Sequence, residues 1–308
     1  MELSSKQIIL GTAALSAGLI VVCKLLSPEG PVMSGRAKRL AEALFRNAGG
    51  NRPAAGSMHM PVVPSPELRE LGAPDANGNR QTMTRRLYMQ LRVLDVDLKV
   101  VSDFDKFFND LKALLVKTPC VLYKDMNCSS AIALLSWSEY PAFFITEINR
   151  ILTDPKVASK FIERKGWTMV GRTYSNGHEK DLEEYLFKKP IRNSTRDDWQ
   201  WAVWYPLRRE GLFYVQPPAD QCKMLLHHAA IGKAFSEINA AHDIRLKSFG
   251  LDAEDNEYVV GLVGDDLHAL SRVVEEMRKT RHTAEFLESL GPFFAGQKVW
   301  KSEVADKY

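Results

Sequence analysis

A pattern of alternating strand and helix runs through residues 85–190 and recurs through 197–300, and this recurrence limits the possible folds more than any other feature. In the first stretch RRLYMQLRVLDV (85–96) alternates as a strand does. DFDKFFNDLKALLVK (103–117) follows with helical spacing behind Asp103 as N-cap. CVLYKDM and AIALLSWS read as strands around an NCSS turn, and AFFITEINRILTD as a helix after Pro141. In the second stretch WAVWYPL (201–207) and LFYVQ (212–216) read as strands around a short basic turn. A long helix opens near Pro218, since proline is tolerated in a first turn. EYVVGLVG (257–264) is then a strand and DLHALSRVVEEMRKT (266–280) an amphipathic helix. Hairpin-paired strands with helices on one face predict an α+β chain of two ferredoxin-like halves whose sheets can face each other.

The N-terminus has a different character. QIILGTAALSAGLIVVC (7–23) carries no charge over 17 residues, between Lys6 and Lys24. At 1.5 Å per residue it spans ~26 Å, and Leu25 and Leu26 extend it to a single membrane span over 7–26, with Lys24 snorkelling. A cleaved signal peptide is the rival reading. One lysine ahead of the run and no A-x-A site favour a retained anchor. Gly11, Ala14 and Gly18 lie on nearly one helical face, where another membrane helix could approach closely. Lys24, Arg36, Lys38, Arg39 and Arg46 follow the span, which places the globular part on the cytoplasm-like side: bacterial cytoplasm, or an organelle matrix or stroma. Residues 47–81 are rich in Gly, Pro, Asn and Ala and read as a linker behind a short helix at 35–46. The expected organisation is a membrane anchor (1–30), a linker with a short helix (31–84), an N-terminal half (85–196) and a C-terminal half (197–308). The net charge of +3, from 41 basic and 38 acidic side chains, argues against a nucleic-acid partner. Cys23, Cys120, Cys128 and Cys222 form no CxxC and read as free thiols.

KMLLHHAAIGKAF (223–235) sets two histidines in an apolar run. On a helix, His228 shares a stripe with Met224, Leu225, Ile231 and Phe235, whereas His227 lies one turn from Lys223 at the polar edge. Gly232, one turn beyond His228, leaves room for something flat. The helical pattern by itself is more often that of a core histidine with one hydrogen bond; an imidazole on an apolar wall with space beside it is also what axial ligation of haem requires.

WYPLRREGLFYVQPPADQCKMLLHHAAIGKAF, followed by FGLDAEDNEYVVGLVGDDLHALSRVVEEMRKTRHTAEFLESLGPFFAGQKV, resembles the chlorite dismutase-like family, which includes the coproheme decarboxylases. The shared features are Tyr-Pro before basic residues, a helix with His and then Ile-Gly, Gly-Leu-Asp before a strand, Asp-Asp before a helix, Met-Arg, and Gly-Pro-Phe-Phe-x-Gly. The likeness is strongest over 198–300 and loose over 85–190. It implies a dimeric α+β barrel made from the two ferredoxin-like halves, and a homo-oligomer, often a ring of five. It implies haem, either haem b or coproheme, with His228 as the iron ligand. Phe213 and Tyr214 would line the haem, and Gly232 would leave space beside it. Tyr205, in Tyr-Pro, would be the catalytic tyrosine. Arg209 stands where the decarboxylases have an assisting lysine, and Arg208 and Arg209 would bind propionates. On the distal side Arg245 is the candidate catalytic residue, with His242 and Asp243 as alternatives. An arginine there would stabilise developing negative charge.

Two functional classes follow. One is a membrane-anchored haem oxidoreductase acting with peroxide, chlorite or coproheme. The other is a non-catalytic subunit of a membrane complex that keeps the fold, with or without the haem. Trp199, Trp201 and Trp204 read as sheet packing, Asp265 and Asp266 as helix caps, and Glu275 and Glu276 as a solvated face.

Overall fold

The computed structural model of the chain describes residues 63–307, and the fold belongs to the unit Glu67–Tyr308. It opens with a hairpin, β1 (Glu70–Pro74) and β2 (Arg80–Met83), inside the stretch whose composition suggests a linker. The turn explains the difference. The Asp75 carboxylate accepts from the N–H groups of Asn77 and Asn79, and Gly78 takes φ 81°. These are the Asn, Asp and Gly devices of a tight turn, which a composition count reads as linker. Glu70 anchors the hairpin by accepting from Arg172 and from the Ser175 N–H.

β3 (Tyr88–Val96) is covered on both faces. Met89, Leu91 and Val93 enter one apolar cluster, and Leu94 and Val96 enter another. Helix α1 (Phe104–Leu115) supplies the outer cover with Phe107, Phe108, Leu111 and Leu115, and Asp103 caps it by accepting from the Lys106 N–H at 2.9 Å. β4 (Cys120–Asp125) and β5 (Ala131–Ser138) follow. The helix after Pro141 is a π turn, Phe144–Ile148, continued as α2 (Asn149–Leu152). Short β6 (Phe161–Glu163) and β7 (Met169–Arg172) complete this half. The antiparallel order β7–β3–β5–β4 is fourth, first, third, second, the ferredoxin-like arrangement.

A second π turn, Glu184–Lys188, runs into α3 (Lys189–Thr195) and leads to the other half. There β8 (Trp201–Arg209), α4 (Gly211–Tyr214), α5 (Pro218–Glu237), β9 (His242–Lys247) and β10 (Tyr258–Gly264) are followed by α6 (Leu267–Arg278) and α7 (Arg281–Phe286). β11 (Leu287–Leu290) and β12 (Phe294–Lys301) end it. Asp266 caps α6 by accepting from the His268 N–H. The order β12–β8–β10–β9 is again fourth, first, third, second. β12 pairs with β4, and β7 meets β9 at Arg172 and Lys247, so eight antiparallel strands close into a ring. β6 and β11 add to β3 and β8.

The ring is filled by Trp137, Trp204, Tyr123 and Phe294 against small residues such as Ala133 and Ala202. At Gly261 a Cβ would lie 2.7 Å from the Trp204 indole, so glycine alone admits that ring. LFYVQ, read as a strand from its sequence, is helix α4 and the turn after it. β8 is already paired with β10, β11 and β12, so no edge is left for it, and Phe213 packs with Met224 and Phe286 instead. The expected apolar stripe of α5 is not buried as a unit: Met224 is its one buried residue and Leu226 is 65% exposed. The expected membrane span at 7–26 and helix at 35–46 lie outside the described residues. Among the described residues no helix is long and apolar enough to cross a membrane.

Candidate functional site

α5 stands off the outer face of the C-terminal sheet and leaves a cavity of ≈ 470 Å³, within the ordinary range of ligand pockets. The sheet wall is set by register. Val260 of β10 is opposite Tyr205 of β8 on one side and Arg245 of β9 on the other. Tyr205 and Arg245 therefore lie in one row, two strand spacings or roughly 10 Å apart. The next row puts Asp243 beside Leu262. The helical wall carries His228 and Gly232, and Met277 and His282 close the far end.

His228 is mostly buried on this wall, whereas His227 is exposed. Its Nδ1 is buried without a hydrogen-bond partner. Burial first, then the charges of Arg209 and Arg245, push its pKa down to about 4, so the ring is neutral at pH 7. A neutral imidazole with a free lone pair is the metal-ligating form. At Gly232 a Cβ would meet Met277 at 3.5 Å, so any longer side chain would enter the cavity. Among the described residues no group of three or more His, Cys, Asp or Glu could hold a metal ion.

Arg245 is held in place. Its Nε donates to Asp243 at 2.9 Å and its Nη2 donates to the Tyr185 hydroxyl. Lys189 Nζ donates to the other Asp243 oxygen at 3.2 Å. Burial opposes the charge on Asp243, but Arg245 and Lys189 outweigh it and hold the carboxyl below its usual range. Burial likewise opposes the charge on Arg245, and Asp243 outweighs it. His242 has both nitrogens engaged, by Ser236 Oγ at 3.1 Å and Asn239 Oδ1 at 2.9 Å, and its ring stacks on Trp199. Tyr205 is buried and stacks on Phe293 at 4.6 Å, and burial raises its phenol pKa.

Four expected site residues are not brought to the cavity. Arg208 lies on the opposite side of β8 and pairs with Glu288 at 2.8 Å. Arg209 shares the Tyr205 face but lies past the edge of the cavity, between the rings of Phe213 and Tyr258 at 4.7 and 4.5 Å. It donates to His282 Nε2 at 2.9 Å and to the Tyr258 hydroxyl at 3.1 Å. Phe213 packs edge-on against His282, and the Tyr214 hydroxyl donates to Glu257 at 2.6 Å. The short helix α4 carries both rings away from the sheet wall. Conversely, the sequence reading passed over His282, Lys189 and Tyr185. His282 lies edge-on to His228 with ring centres 5.2 Å apart.

The family model described as chlorite dismutase matches residues 108–299. None of the curated proteins matches the chain. Among solved structures the chain is similar to a haem-binding protein from Thermus thermophilus, at 18% identity and TM-score 0.58, over 70% of this chain and 92% of that one. It is also similar to the chlorite dismutase of Candidatus Nitrospira defluvii in complex with imidazole, at 11% identity and TM-score 0.55, over 72% of this chain and 95% of that one. At such identities the likeness is one of fold.

Proposed function

The chain belongs to the chlorite dismutase family, and from that premise and the cavity beside His228 we propose that it binds haem. The observation that carries this reading is the neutral His228 ring on the wall of a cavity that Gly232 leaves open beside it. The residues present fit the group. His228 supplies one nitrogen ligand, Gly232 keeps the space next to it open, and Leu207, Val260 and Leu262 give an apolar floor. Lys189 and Arg278 line the cavity and suit carboxylates at its margin.

Haem, when bound, supplies a redox iron that can react with an oxidant such as peroxide. The chain's own residues would do the following. His228 holds the metal. Asp243 and Tyr185 fix the Arg245 guanidinium, which would stabilise anionic charge on a small ligand. The phenol of Tyr205 stays protonated in the same row and is available for one-electron oxidation. Peroxide-dependent oxidation therefore suits the site better than coproheme decarboxylation. In the latter the group four residues after Tyr205 assists, and here that residue, Arg209, is engaged with His282 outside the cavity. A non-catalytic, haem-carrying subunit is the second reading, favoured by the neutralisation of Arg245 by Asp243. The protein would be anchored by residues 7–26, with its globular part on the cytoplasm-like side, as a homo-oligomer or within a membrane complex.

The test is visible spectroscopy of the protein titrated with haem b and with coproheme. Wild type and His227→Ala should give the same Soret shift, and His228→Ala should lose it. An unchanged shift in His228→Ala overturns the ligand assignment. Mass analysis after peroxide addition then separates decarboxylation, which removes carboxyl groups from coproheme, from turnover that leaves its mass unchanged.

A further inference from the structure

His228 and His282 stand side by side, and a third residue decides where the proton of His282 sits. The guanidinium Nε–H of Arg209 can only donate. It donates to His282 Nε2 at 2.9 Å, so that nitrogen must offer its lone pair. The proton of the neutral ring is then on Nδ1. The His282 ring consequently has no free lone pair: Arg209 occupies one nitrogen and the proton occupies the other. The ring next to His228 cannot accept a hydrogen bond from it. Nδ1 of His228 is buried with no partner, and so is Nδ1 of His282.

This arrangement reverses the usual surroundings of a metal-bound histidine. Such a ring ordinarily donates its second N–H to a carboxylate, a carbonyl or water, which makes it more basic and pushes electron density toward the metal. Here the adjoining ring accepts nothing and is backed by a guanidinium. That guanidinium is itself held between Phe213 and Tyr258, so its position is fixed. Hydrogen bonding beyond the axial ligand is one of the protein's means of setting a haem potential. We infer that Arg209 and His282 are a positioning pair that keeps an iron-bound His228 as a neutral imidazole and so favours the ferrous over the ferric state. This rests on the haem reading above, and it gives Arg209 a role other than binding a propionate.

The experiment has two arms, both on the full chain in detergent. In the ligand-free protein, nitrogen-15 shifts of the imidazoles report the tautomer. His282 should carry its proton on Nδ1 in wild type, and this preference should weaken in Arg209→Leu. An Nε2–H tautomer in wild type overturns the pair whether or not haem binds. In the second arm haem b is added, and the Soret change decides the haem reading by itself. The midpoint potential and the ferrous iron–imidazole stretch are then measured in wild type, His282→Glu and His282→Phe. Glu supplies the missing acceptor. It should shift the equilibrium toward the ferric state about tenfold, a drop of ~59 mV for one electron, and move the stretch to higher frequency. Phe has the shape without the acceptor and should stay near wild type. A His282→Glu protein that binds haem with unchanged potential and stretch overturns the proposal. So does a wild-type stretch already as high as that of the Glu variant. If His282→Glu does not fold, the tautomer of wild type still decides.

Discussion

Replacing His228 with Leu should stabilise the ligand-free protein and at the same time remove the iron ligand. The gain has two sources. The buried, unpartnered Nδ1 disappears, which is worth about 1–3 kcal/mol. For a unit of this size that raises Tm by about 2–12 °C. The second source depends on pH. Burial, then Arg209 and Arg245, lower the His228 pKa from 6.5 to about 4 in the folded state. The fold thus favours the neutral ring. Its stability is complete above about pH 6.5 and is lost as the pH falls toward about 4. At about 1.4 kcal/mol per pKa unit the full loss is at most about 3.5 kcal/mol, less what partial solvent access to the ring returns. Leu has no proton to gain, so the advantage of the variant should widen between about pH 7.5 and about pH 4.5. Urea unfolding of both proteins at the two pH values measures this. His227→Leu, at an exposed position, should stay within about 0.5 kcal/mol of wild type. Haem at a hundredfold excess over Kd should raise wild-type stability by about 2.7 kcal/mol and His228→Leu by less. A variant less stable than wild type at both pH values, or an advantage that does not change with pH, refutes the reasoning.

Gly232→Ala should keep haem binding and gain up to about 1 kcal/mol in helix propensity, because its Cβ makes only ordinary contact with Met277; Gly232→Phe should fold, by circular dichroism, yet give no Soret shift. Gly261→Ala pushes a methyl to 2.7 Å from the Trp204 indole and should cost about 1–3 kcal/mol in the urea midpoint, with a change in tryptophan emission. Arg245→Met leaves Asp243 with Lys189 as its remaining cation, and should lower stability by about 1–3 kcal/mol; adding Asp243→Asn should restore part of that, read as coupling in a double-mutant cycle.

The two-half architecture is legible in the sequence because its signals are periodic. Alternation in β3 and the spacing of Phe107, Phe108, Leu111 and Leu115 behind Asp103 each name an element without reference to the rest of the chain. His228 is legible for the same reason, through its place one turn from Met224 and from Gly232. What the sequence hides depends on pairing or on distance. LFYVQ is rich in strand-forming residues, but it is not a strand because the edges of β8 are already taken. The β1–β2 hairpin shows only in the Asp-Ala-Asn-Gly turn, inside a segment whose composition suggests a linker. His282 is 54 residues from His228, Tyr185 is 60 residues from Arg245, and no local period links either pair. Arg208 and Arg209 were placed by resemblance alone, and the end of β8 takes them away from the cavity.

The two halves also explain why the cavity is where it is. α1 and α5 hold equivalent places, each following the first strand of its half and covering the outer face of its sheet. α1 has one continuous apolar stripe, and it buries Phe107, Phe108, Leu111 and Leu115 flush against the strands. In α5 the apolar residues are scattered around the axis: Leu225, Leu226, Ala229 and Ala230 are exposed, and Met224 alone is buried. A helix without one apolar face gains little by lying flat on a sheet, so it stands off. The positions that would complete the stripe are His228 and Gly232, one polar and one without a side chain. Beneath them β9 presents Asp243 and Arg245, where a sealed sheet would present aliphatic residues. Each of these choices costs packing that the N-terminal half retains at the corresponding place. Local rules of packing tend to be broken where a protein binds something, and here the breaks from two elements far apart in sequence meet in a single cavity.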